Sequence, residues 1–581
     1  MAAHVGGRME AKEPIRVTDR SDHYRLAALV VLSLLLHGWM IRNSAMTARD
    51  SIGFARLATN LAHPTPAFPE PEENRMALLG GLSAGAFDRS PRMLPDVLKH
   101  AQQPPGYPLT ICATYEIAKL LRPPPGGAIV HDQILRAAQY ACAAAMILAV
   151  FPMYWLGRML LDRNRSFAAV LVFQFLPVVA RDTSDGLSEG LFILGLSSSI
   201  AFAVAGLRKQ SVGRFLFCGL AAGATYLVRP EGLAVVPAAL GVLAWLALAR
   251  LRPGKNMLAC AAALLVGTGI AATPYMMLIG GITNKPSGKQ ATEEFSNPRF
   301  RSAGLKDAGA PLFAEWRRDG DDATAMTKAL DAAGAIVREY LQASHWAVGI
   351  LGAVGFALMI RRFREQPEWL LLAGAAAIHL AVLARVAYVQ GYASERHLLS
   401  PALAATYFAM AAIPTLFARF ATWPVVGGFY RTPAAFWAWI AILVAICLPS
   451  LAKPMHENRV GFRLGGLYLA ERMARDERPI AEGGTGVTPQ LTDPSEWVQY
   501  YAGRTYHRPP ELTVYRKEGV EYAVHLPDRE RNDSRLNAIE YTSEMANDPT
   551  AELVFAWPDG PGEKAKVKIY RRVNPPRSPV Q

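Results

Sequence analysis

The sequence predicts an α-helical polytopic membrane protein of about eleven transmembrane helices, followed by a small C-terminal extracytoplasmic α/β domain. Three observations predict this class. Hydrophobic residues make up 51% of the 581 residues, basic residues collect in short connections between apolar runs, and the last part of the chain changes to strand-like alternation. The apolar runs hold roughly 15 to 24 residues, and about 20 residues at ~1.5 Å rise cross the ~30 Å hydrocarbon core. A soluble chain of this length would rarely be so apolar.

Eleven spans are predicted from these runs. A further run, "GYPLTICATYEIAKLL" at 106–121, is short and carries Glu116 and Lys119, as a helix lying along the membrane surface would. If it does not cross, all basic connections fall on one side, as the positive-inside rule requires. This predicts a cytoplasmic N-terminus and an extracytoplasmic C-terminus in the inner (plasma) membrane. The predicted spans are 26–41, 137–157, 165–180, 187–206, 214–228, 232–250, 256–279, 346–360, 368–388, 397–418 and 435–452.

This topology divides the chain into three parts. Residues 1–25 form a cytoplasmic tail, 26–452 the transmembrane domain and 453–581 the outer α/β domain. The transmembrane domain includes two long outer loops, 42–136 with interfacial helices and 280–345. In the outer domain "LGGLYLAERMA" is helix-like, whereas "ELTVYR", "EYAVHL", "AELVFAW" and "AKVKIYRRV" are typical of strands.

Composition and local motifs argue against several function classes. The net charge of +13 comes mostly from the short connections, so no nucleic-acid partner is expected. The first apolar run has no small-residue cleavage site after it and is expected to remain as an anchor. The five cysteines lie inside apolar stretches without metal-ligand spacing, which predicts free, buried thiols. The glycines of "GLAAGAT" and "LLVGTG" fit close helix packing.

Charged residues collect at the predicted outer ends of the spans, in "ARDTSDGLSEG", "YLVRPEG" and "GYASERHLLSP". The spans that enter the first two turns hold only about 15 apolar residues, which reach roughly 22 Å, so these charges should lie below the outer surface. Ionisable groups at that depth are costly unless they pair or line a wet cavity. The pattern predicts a functional cavity open to the outside. For any single residue, an interfacial ion pair or a helix cap is the alternative.

Several arginines in one cavity suit a phosphate group, because guanidinium forks match phosphate oxygens. A lone carboxylate among them suits a general base or a metal ligand. A phospholipid-like substrate that loses a proton is the natural inference. The candidate binding residues in these turns are Arg181, Asp185, Glu189, Arg229, Glu231, Arg396 and His397.

Lys285, Arg396 and His379 each carry a separate prediction. Lys285, just outside the seventh span, could reach a lipid phosphate, with an interfacial anchor as the alternative. Arg396 is the better phosphate candidate, since it begins a full-length helix whose N-terminal dipole favours anions. His379, inside an apolar run, is predicted to form a hydrogen bond within the bundle.

Motifs in the outer segments follow one another in a recognisable order. In "TARDSIGFARLA" an acidic residue is followed by an aromatic residue and an alanine, at Asp50, Phe54 and Ala58. "QQPPGYPL", "SDGLSEGLF", "RPEG" and "ERHLLSP" come next. Over roughly residues 26–450, this order and topology resemble the GT-C superfamily of integral-membrane glycosyltransferases. The likeness is greatest to the branch of the protein O-mannosyltransferases and the lipid A aminoarabinose transferase.

The resemblance implies an enzyme that takes a sugar from a polyprenyl-phosphate or diphosphate carrier at the extracytoplasmic face. The sugar passes to an acceptor with inversion, and Asp50 is the implied general base. Arg49 is implied to hold the donor phosphate, and the segment with Gln103 and Tyr107 is implied to bind substrate, although Gln103 stands where the family usually has His.

The resemblance leaves the second acid and the metal open. Many relatives carry two adjacent acids, but Ser51 follows Asp50 here, which puts a metal bound by a carboxylate pair in doubt. Asp182 is the predicted second catalytic acid, ranked above Asp185. No cofactor is certain, and a divalent metal stays an open alternative.

The implied partners are a polyprenyl-phosphate sugar donor, the lipid bilayer and a protein, lipid or glycan acceptor of the cell envelope, with protein glycosylation as one outcome. The alternative function is a transporter or flippase of a lipid-linked or anionic solute. Such proteins usually show internal repeats, and no convincing repeat is found. A catalytically degenerate relative that scaffolds envelope enzymes through its outer tail is a third hypothesis.

Overall fold

The computed structural model describes most of the chain. The described residues are 19–45, 47–62, 94–101, 103–121, 131–285, 325–390, 393–477, 489–493, 497–502, 519–527, 536–558 and 565–574. The helices before the last spans are α1 (Arg20–Arg42), α2 (Arg49–Ala62), α3 (Leu94–His100), α4 (Gly106–Leu121), α5 (His131–Leu160), α6 (Arg163–Phe175), α7 (Pro177–Asp182), α8 (Glu189–Lys209), α9 (Val212–Tyr226), α10 (Val235–Leu248) and α11 (Gly254–Ile279).

The remaining helices are α12 (Ala325–Ala343), α13 (Trp346–Ile360), α14 (Pro367–Gln390), α15 (Leu399–Phe420), α16 (Gly427–Tyr430), α17 (Pro433–Ala445), α18 (Leu448–Leu451), α19 (Val460–Asp476), α20 (Trp497–Tyr501) and α21 (Leu536–Asn547). Short 3-10 turns occupy Pro230–Ala234, Glu395–Leu398 and Glu457–Arg459. The strands are β1 (Gln490–Thr492), β2 (Gly519–His525), β3 (Glu552–Trp557) and β4 (Val567–Asn574).

The chain is an integral, multi-pass membrane protein, and each predicted span is helical. Within the described ranges, eight helical segments are long and apolar enough to cross a membrane, or up to nine if the bent pair α12 and α13 is counted as one span. The predicted spans 165–180, 214–228 and 346–360 are the shorter ones, with helices of 13, 15 and 15 residues. A total of eleven therefore stays a prediction. Helix α4, at 106–121, has 16 residues and is not among the eight.

The helices pack into one bundle through small residues. Helices α9 and α11 cross closely because a side chain on Gly219 would come within 2.1 Å of the Leu264 carbonyl oxygen, and one on Gly267 within 2.3 Å of the Leu216 carbonyl oxygen. Such contacts let two backbones approach, as small residues do in membrane helices. The packing predicted for these glycines is confirmed.

The predicted outer loop 280–345 contains helix α12, which meets α13 at an angle of 108°. His345 lies at this bend with a left-handed backbone, φ 54°. Helix α12 packs against α14, α7 and the 3-10 turn at Glu395–Leu398. The bend therefore brings a second outer helix next to the turns that carry the predicted charges.

The C-terminal domain is a four-stranded mixed sheet of order β1-β2-β4-β3 with helices packed against it. Helix α19 packs against β3 and β4, and α21 packs against β2. The helix-like "LGGLYLAERMA" lies in α19, and three of the four predicted strands become β2, β3 and β4. The fourth, "ELTVYR", lies outside the described residues.

An ion pair and a backbone hydrogen bond are among the contacts that join the C-terminal domain to the membrane part. Arg463 of α19 forms an ion pair with Asp132 of α5 at 3.0 Å. The backbone N–H of Ala45 donates to the carbonyl of Met455 at 3.1 Å, so the segment that leaves the last span runs beside the segment that leads into α2. The C-terminal domain is thus joined to the segment just before α2.

Candidate functional site

The centre of the site is an ion pair between two distant parts of the chain. Asp50 Oδ2 lies 2.5 Å from a guanidinium nitrogen of Arg396. Asp50 is in the first turn of α2, and Arg396 is in the 3-10 turn that precedes α15. The side chain of Asp50 is 47% exposed and that of Arg396 is 28% exposed. The carboxylate is therefore both held by a cation and open to an incoming group.

Helix α2 has one buried face, and the exposed Asp50 lies at the edge of that face. Phe54, Ala55 and Ala58 are buried, which is the one-sided pattern of an amphipathic helix. Phe54 meets the ring of Tyr107 edge to face with centroids 5.0 Å apart. These contacts seat α2 on α4 and leave its polar side toward solvent.

Tyr107 was predicted to bind substrate, but the structure places it in the core. Its side chain is 0% exposed, and its hydroxyl donates to the carbonyl of Ala138 at 2.8 Å. The neighbouring Gly106 N–H donates to the carbonyl of Leu227 at 2.7 Å, and a side chain there would lie 2.6 Å from that oxygen. The geometry favours a supporting position for Tyr107 over direct contact with a substrate.

Asp185 is a buried anchor for the start of α2. Its Oδ1 accepts a hydrogen bond from the Ala48 backbone N–H at 2.9 Å, and its carbonyl accepts one from the Ser51 hydroxyl at 2.9 Å. Its Oδ2 lies 2.7 Å from Nε2 of His456. Burial raises the pKa of Asp185, while the hydrogen bonds from His456 and Ala48 act in the opposite direction. All of its carboxylate oxygens are engaged.

Asp182 differs from Asp185 in its surroundings. Its Oδ2 is buried and makes no hydrogen bond within the described part of the chain. Burial and the nearby carboxylates of Glu189 and Asp185 raise the pKa of Asp182 well above its usual range, although Arg396 acts against them. Asp182 is therefore electrostatically connected to the Asp50–Arg396 pair.

A second ion pair, which is buried, lies close to the first. Arg229 donates to Glu189 at 2.6 Å, and its Nε lies 3.5 Å from Glu231. The guanidinium carbon of Arg229 lies 5.3 Å from the ring centroid of Phe192, a cation–π contact. Both Arg229 and Glu189 are nearly inaccessible. The charges predicted in two separate outer turns thus meet directly.

Lys285 and His397 lie close to these charges. Electrostatic interactions link Lys285 with Glu231, Arg229 and Arg396, and burial lowers the pKa of Lys285 although Glu231 opposes this. His397 interacts electrostatically with Arg229, Arg396 and Lys285 as well. Arg229, Lys285 and Arg396, which come from three separate segments, therefore interact electrostatically with one another.

Two hydrogen bonds hold the segments that carry His397 and Lys285. His379 Nε2 donates to the carbonyl of His397 at 2.9 Å, which confirms the hydrogen bond predicted inside the bundle. Asn284 donates to the carbonyl of Lys99 at 2.7 Å. This bond brings the segment that leads to the half-buried Gln103 beside Lys285.

A cavity of about 490 Å³ opens on the other side of Asp182. Its polar lining includes Arg181, Asp182, Asp185 and Glu395, and its apolar wall includes Trp346. A hollow of this size is in the range of small-molecule sites. The lining of this cavity includes three carboxylates, whereas Arg229 and Lys285 are not among its lining residues.

Arg49 begins α2, but its side chain lies outside the described residues. His456 was not predicted, because a single histidine after the last apolar run carries no signal of its distant partner Asp185. All five cysteines are in the described ranges and form no disulfide there, but only four are buried, since Cys112 is half-buried.

The residues do not present an evident metal site. Within the ranges that the structure describes, no group of three or more His, Cys, Asp or Glu side chains could hold a metal ion. Asp50 has Arg396 rather than a second carboxylate as its direct partner. The donor set around Asp50 therefore does not fit a metal held by a pair of acids.

The chain is similar to a known protein family and to several solved structures. The family model described as dolichyl-phosphate-mannose-protein mannosyltransferase matches residues 127–273. The oligosaccharyltransferase of Archaeoglobus fulgidus in its apo form matches with a TM-score of 0.51 and 14% identity, covering 84% of this chain and 65% of that one. Its complex with an inhibitory peptide and a dolichol-phosphate gives 0.50, 12%, 84% and 64%.

ArnT from Cupriavidus metallidurans in the apo state has a TM-score of 0.50 and 13% identity, covering 95% of this chain and 98% of that chain. This chain has the GT-C fold. The resemblance stated from the motifs is thereby confirmed at the level of the fold.

The structural matches differ in how much of the matched protein this chain covers. This chain spans less than two thirds of the length of the archaeal oligosaccharyltransferase, but nearly the whole of ArnT. No curated protein sequence matches it. The matched family segment contains Arg181, Asp182, Asp185, Glu189, Arg229 and Glu231.

Proposed function

We propose that this GT-C protein is a membrane glycosyltransferase that moves a sugar from a polyprenyl-phosphate donor to an acceptor at the extracytoplasmic face, with inversion. The observation that carries the proposal is the accessible ion pair of Asp50 with Arg396. A carboxylate and a phosphate-binding cation meet at the start of α15, where Arg396 also interacts electrostatically with Arg229 and Lys285.

The donor phosphate belongs on the cationic side. Arg396, Arg229 and Lys285 interact electrostatically with one another, and guanidinium groups bind phosphate oxygens in pairs. Arg396 also begins a helical segment, whose dipole favours an anion. The dolichol-phosphate complex of the archaeal oligosaccharyltransferase and the mannosyltransferase family match support a lipid-linked donor.

The acceptor belongs on the side of the cavity that Asp182 and Glu395 line. A hydroxyl placed against Asp50 gives its proton to the carboxylate while its oxygen forms the new bond to the anomeric carbon. The bond from that carbon to the phosphate oxygen breaks on the opposite face. The electron pair leaves with the phosphate, whose added negative charge Arg396 and Lys285 stabilise.

Asp182 supports this chemistry as the second acid. Its raised pKa and unbonded oxygen suit a group that donates or shares a hydrogen bond with the acceptor. Asp185 is already committed to Ala48 and His456. This difference supports the order in which the two acids were ranked.

The proposed orientation places the N-terminus in the cytoplasm and the outer domain outside, in the inner membrane. Support comes from the basic residues of the connections at one end of the bundle, such as Arg208 and Lys209 in the last turn of α8. The charged site lies at the other end of the same helix, at Glu189.

The test is sugar transfer by purified protein in liposomes. Tritiated undecaprenyl-phosphate-linked sugars are supplied as a panel with envelope fractions as acceptor, and release of undecaprenyl phosphate is measured. Asp50→Asn should lower turnover by roughly 100-fold or more, the usual range for loss of a general base. Glu116→Gln, a partly exposed carboxylate on α4, is the matched control and should keep wild-type turnover. Equal turnover of wild type and Asp50→Asn would remove the assigned base.

The same liposomes separate transfer from transport. A transporter or flippase would move the labelled lipid to the other leaflet without breaking its bond to the sugar. Movement across the bilayer with no released undecaprenyl phosphate would replace the transferase proposal by that alternative.

A further inference from the structure

Asp185 connects the outer domain to helix α2, which carries Asp50, through hydrogen bonds. Ala48 and Ser51 flank Asp50 in the chain, and both bond to Asp185, through its carboxylate and its carbonyl respectively. Asp185 is 4% exposed and sits in the short connection between α7 and α8. The buried Asp185 therefore holds the first turn of α2 through two hydrogen bonds.

His456 holds the other oxygen of that residue. Its Nε2 lies 2.7 Å from Asp185 Oδ2, and its side chain is 22% exposed. His456 adopts a left-handed backbone with φ 55°, at the point where the chain leaves the last span for the outer domain. Met455, next to it, accepts the Ala45 N–H at 3.1 Å. The His456 side chain thus connects to the segment before α2 through Asp185, and the neighbouring Met455 carbonyl bonds to that segment directly.

The charges around this contact favour the pair. Arg459, one turn further along, interacts electrostatically with Asp185. Arg181 and Glu395 line the cavity that His456 and Asp185 share. Because Asp185 is buried, removing His456 leaves its Oδ2 without its charge-assisted hydrogen bond, which is costly in such surroundings.

We propose that His456 is a positioning residue: through Asp185 it fixes the first turn of α2, and hence the place of Asp50 relative to Arg396 and the reacting atoms. This inference rests on the proposed function for its kinetic part. It gives the outer domain a role in turnover, since the domain supplies the residue that orients the base.

Positioning differs from simple docking of the domain. Arg463 and Asp132 also join the C-terminal domain to the membrane part, but within the described residues neither side chain bonds to Asp185. Arg463→Gln therefore weakens docking without altering the anchor of α2. It serves as the matched control for His456→Ala.

The experiment compares full-length wild type, His456→Ala, His456→Gln and Arg463→Gln in the sugar-transfer assay. His456→Ala should lower kcat by about tenfold to 100-fold, since small misplacement of a catalytic group has effects of this order, with the donor KM within about twofold. His456→Gln retains an N–H donor for Asp185 and should recover most of the loss. Arg463→Gln should keep the wild-type kcat.

Hydrogen exchange of the peptide 47–58 is measured on the same samples and needs no activity. His456→Ala should raise its exchange, whereas His456→Gln and Arg463→Gln should not. Wild-type kcat and exchange in His456→Ala would overturn the inference, as would an equal loss in Arg463→Gln with no rescue by glutamine. If wild type transfers no sugar, the proposed function fails, and the exchange data alone support or overturn the anchoring of α2 by His456.

Discussion

Arg396 donates to Asp50 at 2.5 Å, and this bond joins the first outer helix to the turn that opens α15. The pair places a carboxylate able to accept a proton beside a cation able to bind phosphate. Arg396 also interacts electrostatically with Glu189 and Asp182.

Replacement of Arg396 should impair donor binding more than its charge alone explains. Arg396→Gln removes a charged hydrogen-bond donor, so kcat/KM for the lipid-linked donor should fall by about tenfold to 100-fold. Arg396→Lys keeps the charge but loses the planar fork and should recover only part of it. Steady-state kinetics in liposomes measures both variants. Full activity of Arg396→Lys would show that only a point charge is needed.

Lys285 should set the alkaline limit of donor binding. Burial lowers the pKa of Lys285, so the amine loses its charge below the ordinary value of about 10.4. The favourable charge is present below that lowered pKa and lost as the pH rises through it. Lys285→Arg stays charged and should extend kcat/KM for the donor to higher pH. The control Lys119→Arg, on α4, should leave the pH profile unchanged.

The crossing of α9 and α11 should not tolerate one extra methyl group. Gly219→Ala would place a carbon 2.1 Å from the Leu264 carbonyl oxygen, and backbone at a helix crossing cannot move aside cheaply. We expect a loss of about 1–3 kcal/mol from overpacking, which exceeds the helix propensity gained from alanine. Gly241→Ala on α10, where a side chain meets nothing within 4 Å, should be neutral or mildly stabilising. Thermal unfolding of the detergent-solubilised protein compares the two.

A buried charge network should control the stability of the outer domain. Arg572 pairs with Glu521 at 2.6 Å and with Asp548 at 2.8 Å. Asp548→Asn should cost the domain about 1–3 kcal/mol, the usual value for a hydrogen bond to a charged group. Limited proteolysis of the full-length protein in increasing urea measures the loss, and Glu552→Gln on β3 is the exposed control.

The Asp548 contribution should also depend on pH. Hydrogen bonds from Thr550 and Arg572 lower the pKa of Asp548 in the folded domain. A lowered carboxyl pKa stabilises the fold above the unfolded value of about 3.9 and loses that contribution as the pH falls toward the folded pKa. Wild type and Asp548→Asn should therefore differ equally at pH 7 and pH 5, and their difference should shrink below about pH 4. A constant difference down to pH 3 would contradict this.

Much of the fold and part of the site follow from the sequence, because they depend on local order. Apolar length predicts the helices, and alternation predicts β2, β3 and β4. The buried polar ends of the spans predict that Arg229, Arg396 and Asp182 share one region, and the structure brings them together. By contrast, Tyr107 stands in a motif, but its burial depends on Phe54 and Ala138 from other helices.

The sequence by itself determined the membrane class, the run of helices, the outer α/β domain and the set of charges at one end of the bundle. These follow from the cost of placing polar groups in hydrocarbon, which each segment carries alone. Only the tertiary structure decided the pairs, such as Asp50 with Arg396 and Asp185 with His456. Pairing depends on distances between segments far apart in the chain, and packing of the helices sets those distances.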